Sequence, residues 1–164
     1  MAYEGEILDS CGLLDLDLRK VSVVSVSGSG PNACGHLILY MPAGGGYYFH
    51  VAGGRAFPRY MTEKGFERYL QENSKREFRR VSFTLPNPAA AEKRLEELLS
   101  RKWLWLLLPR NCVVFCETVI QAGGINWGSL SDCPVLATDV PVSELNRFMN
   151  SLEAEIRGLY GAPF

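Results

Sequence analysis

Histidine is almost missing from this chain, with two in 164 residues, and cysteine is sparse, with five at positions 11, 34, 112, 116 and 133. An odd number at that density does not make a disulfide scaffold. The length is enough for one domain, 1–164, to bury a core without such staples. An excess of charge is also lacking: 17 Lys and Arg stand against 18 Asp and Glu, a formal net charge of −1. That balance excludes a general attraction to nucleic acid or anionic membrane. The basic run Lys75, Arg76, Arg79 and Arg80 reads as a solvated face. The longest strongly apolar run, 103–108, is too short to span a bilayer, so no stable membrane insertion is expected. The start, Met1-Ala2-Tyr3-Glu4-Gly5-Glu6, lacks the basic head and apolar core of a cleavable signal. The expectation is synthesis in the cytoplasm as a soluble, reduced protein, with any export left to a dedicated route. Repeats and low-complexity tracts are absent.

What is present alternates strands and helices. Residues 6–18 mix apolar and acidic positions without a clear period. The valines and serines of 20–27 predict a strand. The loop 28–32, Gly-Ser-Gly-Pro-Asn, imitates a dinucleotide fingerprint, but a strand and not a helix follows it, and no phosphate-binding lysine is present. No nucleotide or other cofactor is therefore expected. His36–Met41 and residues 47–52 predict a hairpin around the glycine-rich Pro42-Ala43-Gly44-Gly45-Gly46. A helix is expected over 62–73, a strand over 77–85, an amphipathic helix over 89–101, and a closing helix over 142–160. Residues 103–108 fit a buried strand or a groove wall, and 125–139 are irregular. The pattern is that of one α+β domain.

The most strongly marked stretch is 111–124. Pro109 bars a preceding helix, Asn111 is a preferred N-cap, and Gly123-Gly124 offers a left-handed stop. Between them only Glu117, Thr118 and Gln121 are strongly polar, as in a buried helix. Cys112 opens that helix, where first-turn N–H groups and the dipole favour a thiolate. Cys116, one turn on, reads as interior packing, as do Tyr40, Tyr47 and Tyr48.

Both histidines fall in the hairpin. Its loop centre makes paired positions sum to about 86–88. A sum of 86 sets His36 opposite His50, 88 sets them one diagonal apart on the same face, and 87 puts them on opposite faces. Two imidazoles on one face, facing a helix that begins with cysteine, suit thiol activation. One ring takes the thiol proton and the second orients the first. Four ligands from Cys34, His36, Cys112 and Cys116 would instead suggest zinc, but their spacing matches no standard finger, and no metal is expected.

The order Cys34-Gly35-His36-Leu-Ile-Leu-Tyr, Tyr47-Tyr48-Phe49-His50-Val51 and Asn111-Cys112-Val-Val-Phe115 resembles the circularly permuted NlpC-type papain-like superfamily, in particular its lecithin:retinol acyltransferase-like branch. The resemblance spans residues 34–124 and departs from the pattern at Leu37, where an aromatic residue is usual. The C-terminal membrane helix of some acyltransferase members is also missing. The resemblance implies a small antiparallel sheet packed on a central helix. It assigns Cys112 as nucleophile, His36 as base and His50 as orienting group. The implied activity is a cysteine hydrolase working through a thioester on a peptide or acyl-containing substrate. An amidase or peptidase is the leading expectation. A lipid acyltransferase, phospholipase or thioesterase with the same triad, and a non-catalytic binding module, are the alternatives. Relatives acting on cell-wall peptides include bacterial secreted toxins. By that resemblance the protein is a candidate effector exported by a dedicated secretion system, with an immunity or carrier protein as partner.

Overall fold

A computed structural model describes residues 2–8, 16–28, 35–53, 55–104 and 111–127. The elements are β1 (Glu6–Ile7), β2 (Lys20–Val26), β3 (His36–Met41), a 3-10 turn (Ala43–Gly45), β4 (Tyr47–His50), β5 (Arg55–Ala56), β6 (Arg59–Thr62), α1 (Glu63–Glu72), β7 (Glu77–Thr84), α2 (Pro88–Leu99), β8 (Trp103–Leu104) and α3 (Cys112–Ala122). The fold is α+β. Six antiparallel strands form one sheet in the order β1-β6-β4-β3-β2-β7, and β5 pairs separately with β8. The expected closing helix over 142–160, the loop residues 29–32, the stretch 105–108, Cys34 and most of 125–139 lie outside the described residues.

The sheet is covered on both sides, and strand alternation decides which side chain goes where. Leu37, Leu39 and Met41 of β3, with Phe49 and the following Val51, pack with Leu95 and Leu98 of α2 and Val113, Phe115 and Cys116 of α3. The alternate residues Ile38 and Tyr48 pack with Phe66 and Tyr69 of α1 on the opposite face. Strands buried on both faces read as near-continuous apolar runs, and β2 is buried from Val21 through Val26. At one edge β7 exposes Glu77, Phe78, Arg79 and Arg80, and charges of that kind deter pairing with another chain.

Local chemistry sets the helix ends. Thr62 caps α1 by accepting from Gly65 N, and Asn87 caps α2 by accepting from Ala90 N, with Pro88 in the first turn. Glu63 then fastens α1 to the sheet: its two carboxylate oxygens accept from Tyr40 Oη at 2.7 Å and Tyr48 Oη at 2.8 Å. The end of α3 presses on the β7–α2 junction, where Gly123 O accepts from Asn87 N at 2.9 Å. A Cβ on Gly123 would sit 2.6 Å from Leu85 Cδ1. Gly124, at φ +91, supplies the left-handed stop.

The basic run is only in part a solvated face. Arg76 and Arg79 are exposed, but Lys75 is half-buried and its Nζ donates to Ser27 O at 3.1 Å. Arg80 lies over the Tyr40 ring at 4.4 Å and donates to Tyr48 Oη at 3.0 Å.

Candidate active site

The N-terminus of α3 is built by Asn111. Its Oδ1 accepts from Val113 N at 3.0 Å and Val114 N at 3.1 Å, a bifurcated cap that fixes where the helix begins and so where Cys112 sits. Cys112 is 5 % exposed. The Val113 and Val114 N–H groups are occupied by the Asn111 cap. Cys116, expected to be packing, is fully buried in the core; burial first, then the charges of Cys112 and Glu117, push its thiol well above the usual range.

The hairpin register settles the histidines' relation. Leu39 pairs with Phe49, Tyr40 with Tyr48 and Met41 with Tyr47, so paired positions sum to 88 and the imidazoles lie one diagonal apart on one face. His36 Nε2 and His50 Nδ1 are 3.0 Å apart, with the rings edge to face at 5.1 Å between centroids. The other nitrogen of His50, Nε2, lies 2.8 Å from the carbonyl oxygen of Glu4.

That carbonyl decides where the protons are. A carbonyl oxygen only accepts, so His50 Nε2 carries the hydrogen. Burial, joined by the Arg59 and Lys75 charges and opposed by the Glu4 bond, pushes the His50 pKa down to about 4, so the ring is neutral at pH 7. Neutral His50 then accepts at Nδ1, and His36 must donate from Nε2. The remaining nitrogen, His36 Nδ1, is the one with a lone pair to offer. Burial first, then the charges of His50 and Lys75, keep His36 well below the usual imidazole pKa, so it too is neutral.

The helix that begins with Cys112 does not cover the face that carries the histidines. Strand alternation puts His36 and His50 with Ile38, Tyr40 and Tyr48 on the α1 side, whereas α3 packs on the other. Sequence alternation fixes that two residues share a face, but the packing of α1 and α3 decides which helix meets it. His36 is the first residue of β3 and His50 the last of β4, so both stand at the same end of the sheet. Tyr69 of α1 sets its ring 5.5 Å from that of His50. Its phenol is pushed upward by burial first and then by the charges of Glu4 and Cys112.

Beside His36 opens a cleft of about 410 Å³ whose lining includes Glu4, His36, Ala52, Gly53, Tyr69 and Lys75. Cys112 is not in its described lining. Glu4 is raised by burial against the pull of Lys75 and Arg59; Lys75 is lowered by burial against the pull of Glu4. Neither Glu4 nor Lys75 was read from sequence as part of a site, because nothing in the order of residues links position 4 with 50 and 75.

Among the described residues, no three His, Cys, Asp or Glu side chains cluster to hold a metal ion, and Cys34 of the four-ligand zinc alternative lies outside them. No described helix is long and apolar enough to cross a membrane. Compared with family models, curated proteins and solved structures, the chain finds no match.

Proposed function

We propose that the protein is a cysteine hydrolase of the permuted papain-like kind, cleaving an amide in a peptide substrate, with Cys112 as nucleophile, His36 as base and His50 as orienting group. The observation that carries the reading is the chain of hydrogen bonds from Glu4 O through His50 to His36, which leaves His36 Nδ1 as the acceptor. A base oriented by a second polar group, acting on a cysteine that opens a helix, is the arrangement that nucleophilic catalysis by a thiol requires.

In this reading His36 Nδ1 takes the Cys112 proton and the sulfur attacks the substrate carbonyl carbon. The amine leaves with the proton returned by His36. Water then gives a proton to His36 and attacks the thioester, releasing the acid and restoring the thiol. A peptide is the substrate preferred in this reading, because Glu4, Lys75 and Tyr69 are among the residues that line the cleft beside the base. An acyl chain would have to lie against those groups without pairing them. Cell-wall peptides are the substrate to try first on the strength of the resemblance, and export and an immunity partner belong to the same proposal.

The test offers purified full-length protein both muropeptides and phospholipid vesicles and follows products by mass spectrometry, with Cys112→Ala as control. Amide cleavage that vanishes in Cys112→Ala is the expected result. Fatty-acid release or a lasting acyl adduct on Cys112, with the peptides intact, overturns it in favour of the lipid reading. A Cys112 that shows no enhanced reaction with a thiol probe would leave only a binding module.

A further inference from the structure

The atom that anchors His50 belongs to the backbone, so its place depends on the chain on either side of it. On one side, Gly5 holds φ +91, and a Cβ there would lie 2.8 Å from Tyr60 O and 2.9 Å from Met61 Cγ. Only glycine lets the segment turn so close to β6. Arg59, the β6 residue paired with His50, donates from Nη1 to Gly5 O at 2.8 Å. Its buried Nε has no hydrogen-bond partner among the described residues, so the guanidinium is held there despite an unmet donor. Beyond Gly5, β1 pairs Glu6 with Tyr60 and Ile7 with Arg59. On the other side, Tyr3 N donates to Glu72 Oε2 at 2.7 Å, and Asn73 Nδ2 donates to Tyr3 O at 2.8 Å. The Glu4 carbonyl is thus clamped from both directions.

We propose that Gly5 and Arg59 are positioning residues that fix the tautomers of both imidazoles by holding the Glu4 carbonyl against His50 Nε2. If that carbonyl moves away, each ring keeps one proton but its place is no longer set. His50 can then carry it on Nδ1 and donate to His36 Nε2, which moves the His36 proton to Nδ1 and blocks the nitrogen that faces no other ring. The geometry stands by itself; its catalytic meaning rests on the Cys112–His36 reading above.

The experiment uses the full chain with ¹⁵N-labelled histidine. Imidazole nitrogen shifts and two-bond couplings at neutral pH report the tautomer of each ring, and iodoacetamide kinetics across pH report Cys112. Wild type is expected to show Nε2–H on both rings. Gly5→Ala and Arg59→Met are expected to populate Nδ1–H forms. Cys112 alkylation should slow by roughly ten- to a hundredfold, the scale of a small misplacement in an active site. Arg59→Lys, which can still donate to Gly5 O, should recover most of the wild-type tautomer. If Gly5→Ala fails to fold, the Arg59→Met and Arg59→Lys pair decides. An Nδ1–H His36 in wild type, or unchanged tautomers in Arg59→Met, overturns the positioning role. Changed tautomers with an unchanged alkylation rate support the positioning role and overturn the Cys112 reading instead.

Discussion

Cys112 and Cys116 stand one turn apart on α3, yet the first lies at the capped N-terminus and the second is sealed in the core. The buried thiol is pushed well above its usual pKa, and the neighbouring Cys112 charge is among the causes. Iodoacetamide at neutral pH should therefore label Cys112 well before Cys116, as read by peptide mapping. Cys112→Ala should abolish turnover, whereas Cys116→Ala should lower the melting temperature. Equal labelling of the two would remove the assignment.

The two histidines should differ in what their loss does. His36→Ala removes the proposed proton acceptor and is expected to reduce turnover by about 10²–10⁴-fold. His50→Gln keeps an amide that can donate to Glu4 O and a carbonyl that can accept from His36, and should cost roughly tenfold. Steady-state kinetics on the two variants decide this. A more damaging His50→Gln would exchange the roles.

Stability should depend on pH through the same pair. His50 titrates near 4 when folded against 6.5 for an unperturbed imidazole, so below about pH 6.5 the unfolded chain binds the extra proton. Stability from this group is complete above pH 6.5 and is lost as pH falls towards 4, by about 3 kcal/mol at most. His36 shifts in the same direction and adds to the slope. Denaturant midpoints between pH 7 and 4 should fall in wild type and fall less in His50→Gln. A flat wild-type profile would contradict the burial of the pair.

The Asn111 cap should be worth more than an exposed one. Asn111 is 4 % exposed, so replacing it by Ala strands the buried Val113 N–H and leaves that of half-buried Val114 without its acceptor. A loss of about 1–2 kcal/mol is expected in denaturant unfolding. Asn111→Asp, which keeps the acceptor, should recover a good part of it. A loss below a few tenths of a kcal/mol in Asn111→Ala would show that other contacts set the helix start.

The elements that sequence revealed are those whose signals are local. α3 begins at Asn111, whose side chain caps the backbone as its residue type suggested, and α1 follows Thr62, read from sequence only as the start of a helix. The β3–β4 hairpin followed from its glycine loop, but the loop left the register open, and the pairing itself put both histidines on one face. What escaped depended on distant neighbours. β6 is squeezed between Pro58 and the cap Thr62, too short to show a period, and β1 is two residues whose strand character comes from pairing with β6. The Glu4 carbonyl had no signal at all, because backbone oxygens are identical along a chain. Which sheet face receives α3 was likewise set by the packing of α2 and α3 around Leu95, Leu98 and Phe115.

The bonds that hold residue 3 reach residues 72 and 73, separations of 69 and 70 along the chain. Contacts that distant carry a large loop-closure entropy and tend to form after the hairpins they join. β1, at the sheet edge with both residues exposed, belongs to the part of a fold that opens first in local fluctuations. Its amides should exchange with solvent far faster than those of β3. A brief fraying of this edge would loosen one of the two clamps on the Glu4 carbonyl while β2, β3 and β4 stayed paired, so the proposed tautomers of the imidazole pair would be lost and regained without global unfolding.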